Sequence, residues 1–370
     1  MRVLIIKTSS IGDLVNTLPA MTDATQMIPG IRFDWLVDES LQEIPQWHYA
    51  TERVIPVATH DLSKNLWGNL IKGKWWRMKH QIRTNDYFAI LDSDGLWMNG
   101  WLSRYANGPT FGLDKESARD QLATRYYDHT VAVAKGQHAV ERVRQFFAKA
   151  LGYDFPRAVA NSGIKLDSEP SAQSIALTNG NDPCLMFFCG ASWETKLWPV
   201  AYWQTAAKLA GRKGYRVLIP WRYENERAIA DEIAKVGKHV EVFQRSSLTE
   251  LAHTLNKCHG VVAVDTGLTH LAAALSIPCV SLYGPTDPGL SGAFGQNQVH
   301  LFANYSCSPC LKDKCTYSGP KVKNQLNYGQ GEYVEPPCFS SLMPGYVFDV
   351  LQQQIEVKFG APVKIAAVAN

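Results

Sequence analysis

Apolar residues in this chain come in short runs divided by amphipathic stretches, a pattern that predicts alternating strands and helices. Residues 2–7 carry Val3-Leu4-Ile5-Ile6, a run that fits a buried strand, and residues 12–27 follow with Leu14, Leu18, Met21 and Ala24 at helical spacing. Residues 32–37 and 53–57 read as two further strands with a short helix between them. Another strand is predicted over 87–91, with a helix after Gly95. Over 137–151 the periodicity predicts an amphipathic helix that turns Val140, Val143, Phe146, Phe147 and Leu151 inward.

The pattern fades between Leu151 and Pro183, where Asp167-Ser168-Glu169-Pro170-Ser171 and Asn179-Gly180-Asn181-Asp182-Pro183 are turn-rich. A second alternating series then begins. Strands are predicted over 184–189, 215–220, 239–242, 261–264 and 279–283, and helices over 200–212, 225–236 and 248–256. Two consecutive series of this kind predict an α/β chain of two Rossmann-like domains facing each other across a cleft. The boundaries fall at 1–168 and 169–345, with a Gly-, Pro- and Cys-rich loop over 305–338 and a terminal helix and tail over 346–370. No internal sequence repeat is evident.

Composition adds little to this picture and removes several alternatives. The 370 residues are 46% hydrophobic and 19% charged, which is ordinary for globular chains. No apolar run approaches the roughly 20 residues that span a bilayer. The apolar start is too short for a signal sequence, so a cytoplasmic protein is expected. A net charge of +3 leaves any preference for anionic partners to local patches. All eight cysteines lie beyond residue 183, and Cys184, Cys189, Cys258 and Cys279 sit in or beside apolar strands, where small buried thiols are common.

Candidate chemistry gathers where strands end. The stretch Val261-Val262-Ala263-Val264-Asp265-Thr266-Gly267-Leu268-Thr269-His270 breaks from a strand into a helix of small residues, and amides at such a start favour an anion. Thr266 and Gly267, with Ser192 and Lys196 from Gly190-Ala191-Ser192-Trp193-Glu194-Thr195-Lys196, would cradle a pyrophosphate. His270 lies one turn into the helix, where a structural role is the commoner one. Glu224 and Glu226 follow a strand as acids do that bind ribose hydroxyls, or else cap a helix. After the first strand, Lys7-Thr8-Ser9-Ser10-Ile11-Gly12-Asp13 lacks a dinucleotide fingerprint. Its Asp13 suits either a general base or an acid set at a helix start.

Two further clusters stand apart. Residues 63–83 hold six Lys or Arg, no acid and three Trp, which suits an anionic membrane or glycolipid; nucleic acid and a plain solvated helix are the alternatives. Arg104, Arg119, His138 and Arg142 add cations in the same half. Cys307, Cys310, Cys315 and Cys338 favour a tetrahedral thiolate site, a structural Zn or Fe, over disulfides in a cytoplasmic chain. Reduced free thiols are the other reading.

In order along the chain, Lys7 to Asp13, Asp92-Ser93-Asp94-Gly95-Leu96, Gln137-His138-Ala139-Val140-Glu141-Arg142, Lys196-Leu197-Trp198-Pro199, Pro220-Trp221, Asp265 to His270 and Tyr283-Gly284-Pro285-Thr286-Asp287-Pro288 form a set. On this set the chain resembles the lipopolysaccharide core heptosyltransferases, the ADP-heptose glycosyltransferases of GT-B fold, and within them the heptosyltransferase I group. The resemblance implies inverting transfer of L-glycero-D-manno-heptose from ADP-heptose to Kdo of a lipid A precursor, with no catalytic metal. It implies a peripheral place at the inner face of the cytoplasmic membrane, with a Kdo-lipid A glycolipid and no nucleic acid as partner. Asp13 would be the base. Ser192, Lys196, Glu224, Asp265, Thr266, Gly267 and His270 would hold the donor, and Lys7, Ser10, Arg119, Gln137 and His138 the acceptor. The chain departs from the family at His60-Asp61-Leu62-Ser63, where relatives carry arginines, at Gly190-Ala191-Ser192 in place of two threonines, and in its Cys-bearing tail.

Overall fold

The apolar runs pair side by side and in one direction. A computed structural model describes residues 1–59, 74–178, 183–245, 247–324 and 333–360, and the chain divides into two compact units, Met1–Asp167 and Ser168–Asn370. In the first unit β1 (Arg2–Ile6), β2 (Arg32–Asp38), β3 (Thr51–Val57), β4 (Ala89–Asp92), β5 (Thr110–Leu113) and β6 (His129–Val131) form a parallel sheet in the order β3-β2-β1-β4-β5-β6. In the second, β7 (Cys184–Phe188), β8 (Arg216–Trp221), β9 (Val240–Gln244), β10 (Gly260–Val264), β11 (Cys279–Tyr283) and β12 (Gln298–Phe302) are ordered β12-β11-β10-β7-β8-β9. Counted from its own first strand, each sheet has the Rossmann order, with a switch point at β1/β4 and at β7/β10. The two units share a topology although the sequence shows no repeat.

Central parallel strands are covered by helices on both faces, which is why they read as unbroken apolar runs. Val3, Leu4, Ile5 and Ile6 are at most 1% exposed, and Val261, Val262, Ala263 and Val264 are fully buried. Each Val, Leu or Ile among them contributes about 1.5–3 kcal/mol of burial free energy before entropy is counted. In the second unit Trp198, Trp203, Phe187 and Tyr202 join this core, and the terminal helix Pro344–Phe359 closes it with Val347, Leu351 and Ile355. Cys184, Cys189, Cys258 and Cys279 are buried in the same unit, and all eight cysteines are free thiols.

The fold differs from the sequence pattern in three respects. The helix expected over 12–27 is two, Ile11–Val15 and Leu18–Met27, with Pro19 in the first turn of the second. Proline has no N–H to continue the ladder across that point, and a fresh start suits it. Leu14, Leu18, Met21 and Ala24 nevertheless all reach the core. β5 and β6 are short, and the edge strand β12 is mostly half-buried and interrupted by Gln298 and His300, so none of the three shows an unbroken apolar run. A helix, Ala172–Thr178, occupies part of the stretch where periodicity fades.

One polar clip crosses the first unit's core. Arg144, on helix Ala139–Leu151, donates to both oxygens of Asp23 at 2.7 and 3.3 Å and to the carbonyls of Pro156 and Ala158. Among the described residues no helix is long and apolar enough to cross a membrane.

Candidate active site

Each switch point carries one cluster. In the first unit β1 runs out at Lys7, whose side chain is buried and whose ammonium donates to Asp94 Oδ1 at 2.6 Å and Ser93 Oγ at 3.2 Å. Ser9 Oγ donates to the other Asp94 oxygen at 2.8 Å. A buried ammonium without such a partner would carry a heavy desolvation cost. The loop after β4 is shaped by Asp92, which accepts the amides of Asp94 and Gly95 at 3.0 and 3.2 Å on one oxygen and the Tyr127 hydroxyl at 2.6 Å on the other. Burial, with the charge of Asp94, pushes the Asp92 carboxyl up to about 6. Gly95 takes φ +62°, and a Cβ there would strike Ala118. The tight turn therefore brings Ala118 and Arg119 up against the β4 loop.

Arg119 reaches across to Asp13, its Nη2 donating to Oδ1 at 2.8 Å. Ser10 caps the short helix by accepting the Asp13 amide at 3.2 Å, while its own hydroxyl donates to Asp13 Oδ2 at 2.9 Å. The Asp13 side chain stays 20% exposed. Burial acts to raise its carboxyl, but the charges of Lys7 and Arg119, with hydrogen bonds from Arg119 and Ser10, outweigh this and hold it well below the usual carboxylate range. Lys7, Ser10, Asp13 and Arg119 thus form one constellation. Gln137 and His138 stand at the start of helix Ala139–Leu151, where His138 Nδ1 accepts the Val140 amide at 3.2 Å and Gln137 accepts from Gln145. The next turn of that helix carries Arg142, whose cation is close enough to feel Arg119.

In the second unit the loop after β7 delivers Lys196 to Asp265 at the end of β10, Nζ to Oδ2 at 2.8 Å. Thr286, from the loop after β11, donates to the same oxygen at 2.6 Å. The ammonium also lies 4.6 Å from the centre of the Trp193 ring, which orients it. Thr266 occupies the N-cap of helix Gly267–Ala274 with its side chain making no cap bond, so the first helical amides lack helical partners. Thr269 Oγ1 donates to the Val264 carbonyl at 2.9 Å and pins that turn to the strand. His270 is buried one turn along. Ser192 is exposed on the loop before Lys196. Three strand ends thereby present a cation, a carboxylate and a helix start at one edge.

Glu224 and Glu226 part company. Glu224 is exposed and lies 3.8 Å from Arg227, whereas Glu226 accepts the Arg222 and Tyr223 amides at 2.8 and 3.3 Å and packs beside Gly190 of the β7 loop. Glu226 is accordingly the acid next to the β7 loop. Asp94 and Thr286, which the sequence offered only inside longer motifs and without a role, are the partners of Lys7 and Asp265. A lysine in an apolar strand end signals the first, because it demands a nearby acid.

The basic Trp-bearing segment is described only from residue 74. Helix Lys74–Arg83 buries Met78 and Ile82 and leaves Trp76 62% exposed, with Lys79 Nζ 5.4 Å from that ring. Residues 60–63, where arginines would be expected by resemblance, lie outside the described residues. The four tail cysteines surround a short segment packed on the β7 loop: Thr195 donates its amide to the Asp313 carbonyl at 3.3 Å and its hydroxyl to that of Lys312.

Residues 75–320 match the model of glycosyltransferase family 9 (heptosyltransferase). Lipopolysaccharide heptosyltransferase 1 of Pseudomonas aeruginosa is 46% identical over 96% of this chain and 98% of its own length. The structure of the Escherichia coli heptosyltransferase WaaC with ADP superposes with a TM-score of 0.75 at 40% identity, covering 82% of this chain and 93% of that one. The same E. coli enzyme with ADP-2-deoxy-2-fluoro heptose gives 0.72 at 38%, covering 81% and 93%.

Proposed function

The chain belongs to glycosyltransferase family 9, the heptosyltransferases, and on that premise we propose that it moves L-glycero-D-manno-heptose from ADP-heptose to Kdo of the lipopolysaccharide inner core, inverting the anomeric centre. The observations that support this reading are an ionised carboxylate at the switch point of the first unit and, taken separately, a cation and a helix start at that of the second. Asp13 takes the proton from the attacking Kdo hydroxyl. That oxygen bonds to the anomeric carbon as the bond to the β-phosphate oxygen breaks and ADP leaves. Arg119 and Ser10 keep Asp13 ionised and aimed, and a general base of this kind contributes about 10²–10⁴-fold.

Charge grows on the departing pyrophosphate. Lys196, the Thr266 and Gly267 amides and the Ser192 hydroxyl meet it, as fixed donors do at developing anions. No catalytic metal takes part on this reading, and transfer should need no added metal ion. Asp265 and His270 contact heptose hydroxyls, with Glu224, or its neighbour Glu226, at the ribose. Lys7, Arg119, Gln137 and His138 line the side that takes the acidic acceptor. The donor assignment is supported by the neighbour solved with ADP-2-deoxy-2-fluoro heptose. Exposed Trp76 and Arg77 beside Lys79 support a peripheral seat on the inner, cytoplasmic face of an anionic membrane.

The test is a transfer assay with ADP-heptose and Kdo-lipid A acceptors, with and without a phosphate on Kdo. Asp13→Ala should keep donor affinity and lose at least 100-fold in ADP release. Unchanged ADP release in that variant would remove Asp13 from the mechanism, and turnover only on other acceptors would overturn the Kdo assignment.

A further inference from the structure

Four thiols in the tail of the second unit are left unused by heptose transfer, yet the chain gathers them. Ser308, beside Cys307, donates its hydroxyl to the Gly284 carbonyl at 2.8 Å. Leu311, beside Cys310, donates its amide to the Pro285 carbonyl at 2.9 Å. Cys338 Sγ sits so close to Gly284 that a Cβ there would come within 3.1 Å of it. Cys338 and the immediate chain neighbours of Cys307 and Cys310 are therefore docked on one dipeptide at the end of β11. Cys315 is brought alongside by Tyr317, whose ring meets that of Tyr305 edge-on at 5.2 Å, and by Thr195, which holds the Lys312 and Asp313 carbonyls just before it. Cys338 is within electrostatic reach of Cys307, Cys315 and Cys310.

The surroundings match the charge of such a centre. Four thiolates around a divalent ion carry a net charge of about −2. The segment offers Lys312, Lys314, Lys321 and Lys323 against Asp313, Glu332 and Glu335. Cys307 and Cys315 are exposed, Cys310 half-buried and Cys338 buried, so three thiols have room to turn onto the fourth. That turn is required, because among the described residues no three thiol, imidazole or carboxylate groups already stand as a metal-binding group.

We propose that Cys307, Cys310, Cys315 and Cys338 bind one zinc or ferrous ion as four thiolates, clamping the 305–338 segment onto the loops that carry Thr195 and Gly284. Binding releases the thiol protons to solvent and changes no oxidation state. The ion is structural, and its binding does not rest on the function proposed above.

Full-length protein, purified under reducing conditions without chelator, should carry about one equivalent of zinc or iron by elemental analysis, zinc colourless and iron with thiolate charge-transfer absorbance. Its four tail thiols should react with a thiol reagent only after chelation. Cys315→Ser removes an exposed ligand without opening the core, and it should lose most of the metal while keeping its circular dichroism; Cys338→Ser should do the same or fold less well. Wild-type protein with under about a tenth of an equivalent and four freely reactive thiols would overturn the site, as would full occupancy in Cys315→Ser. Metal content is read without donor or acceptor, so a failed transfer assay leaves this result standing, and the reverse also holds.

Discussion

Lys196 and Thr286 both donate to Oδ2 of Asp265, so the carboxylate's position depends on two loops at once. Replacing Thr286 by Val keeps the shape and deletes one donor to a charged acceptor, a bond worth about 1.5–3 kcal/mol. Since Lys196 still holds the same oxygen, part of that survives, and the KM for ADP-heptose should rise about 5–30-fold with a smaller change in kcat. Steady-state kinetics separates the two; an equal fall in kcat would mean that Thr286 matters to the reacting geometry instead. Arg119 invites a pH experiment. Burial favours the neutral Asp13 acid, and it is chiefly Lys7 and Arg119 that reverse this. The folded carboxyl is thus depressed, and its stabilising contribution is present above the unfolded value of about 4 and is lost as pH falls below it. In Arg119→Met the acid limb of kcat/KM should move toward neutral pH and the acid-side loss of stability should shrink. An unmoved limb would show that Asp13 does not set it.

At the level of elements, Arg144 is the test of how helices Leu18–Met27 and Ala139–Leu151 are joined. Arg144→Met strands Asp23 in the core and should cost about 3–5 kcal/mol, whereas adding Asp23→Leu should recover most of it, because replacing a buried pair by apolar groups is often neutral. Urea unfolding of the two single variants and the double reads this as a cycle. The same contrast between local and distant information explains what the sequence made legible. β1, β7 and β10 announce themselves because central parallel strands are apolar throughout. β6 does not, since it is only His129–Val131 at an edge, with His129 and Thr130 exposed. Lys7 and Asp13, or Asp265 and Thr266, could be placed together because each pair shares one loop after one strand. Lys7 with Asp94, 87 residues away, could not, for no local spacing encodes which loops a sheet will bring side by side. Nor does a helix start tell which of Glu224 and Glu226 turns to the β7 loop; that is settled by Gly190, whose missing side chain leaves room for Glu226.

Across the whole molecule, two sheets of one topology have separate cores, so they need not lose structure together. The nucleotide-holding groups proposed here, Ser192, Lys196, Thr266 and Gly267, all belong to the second unit. A ligand that binds only the folded form stabilises it by about 2.7 kcal/mol at a hundred times its Kd, and amides that exchange by opening of the unit it holds should slow by up to about 100-fold. Hydrogen exchange with saturating ADP should therefore show protection in β7, β10 and β11 and in helix Gly267–Ala274, with β1, β2 and β4 little changed. Equal slowing in both sheets would mean that ADP engages the first unit as well, or that the units open as one, and the division of labour between a donor-holding unit and a base-carrying unit would fail. If protection stays in the second unit, the first still has to recognise the acceptor, and Lys7, Arg119 and Arg142 are the cations it offers there.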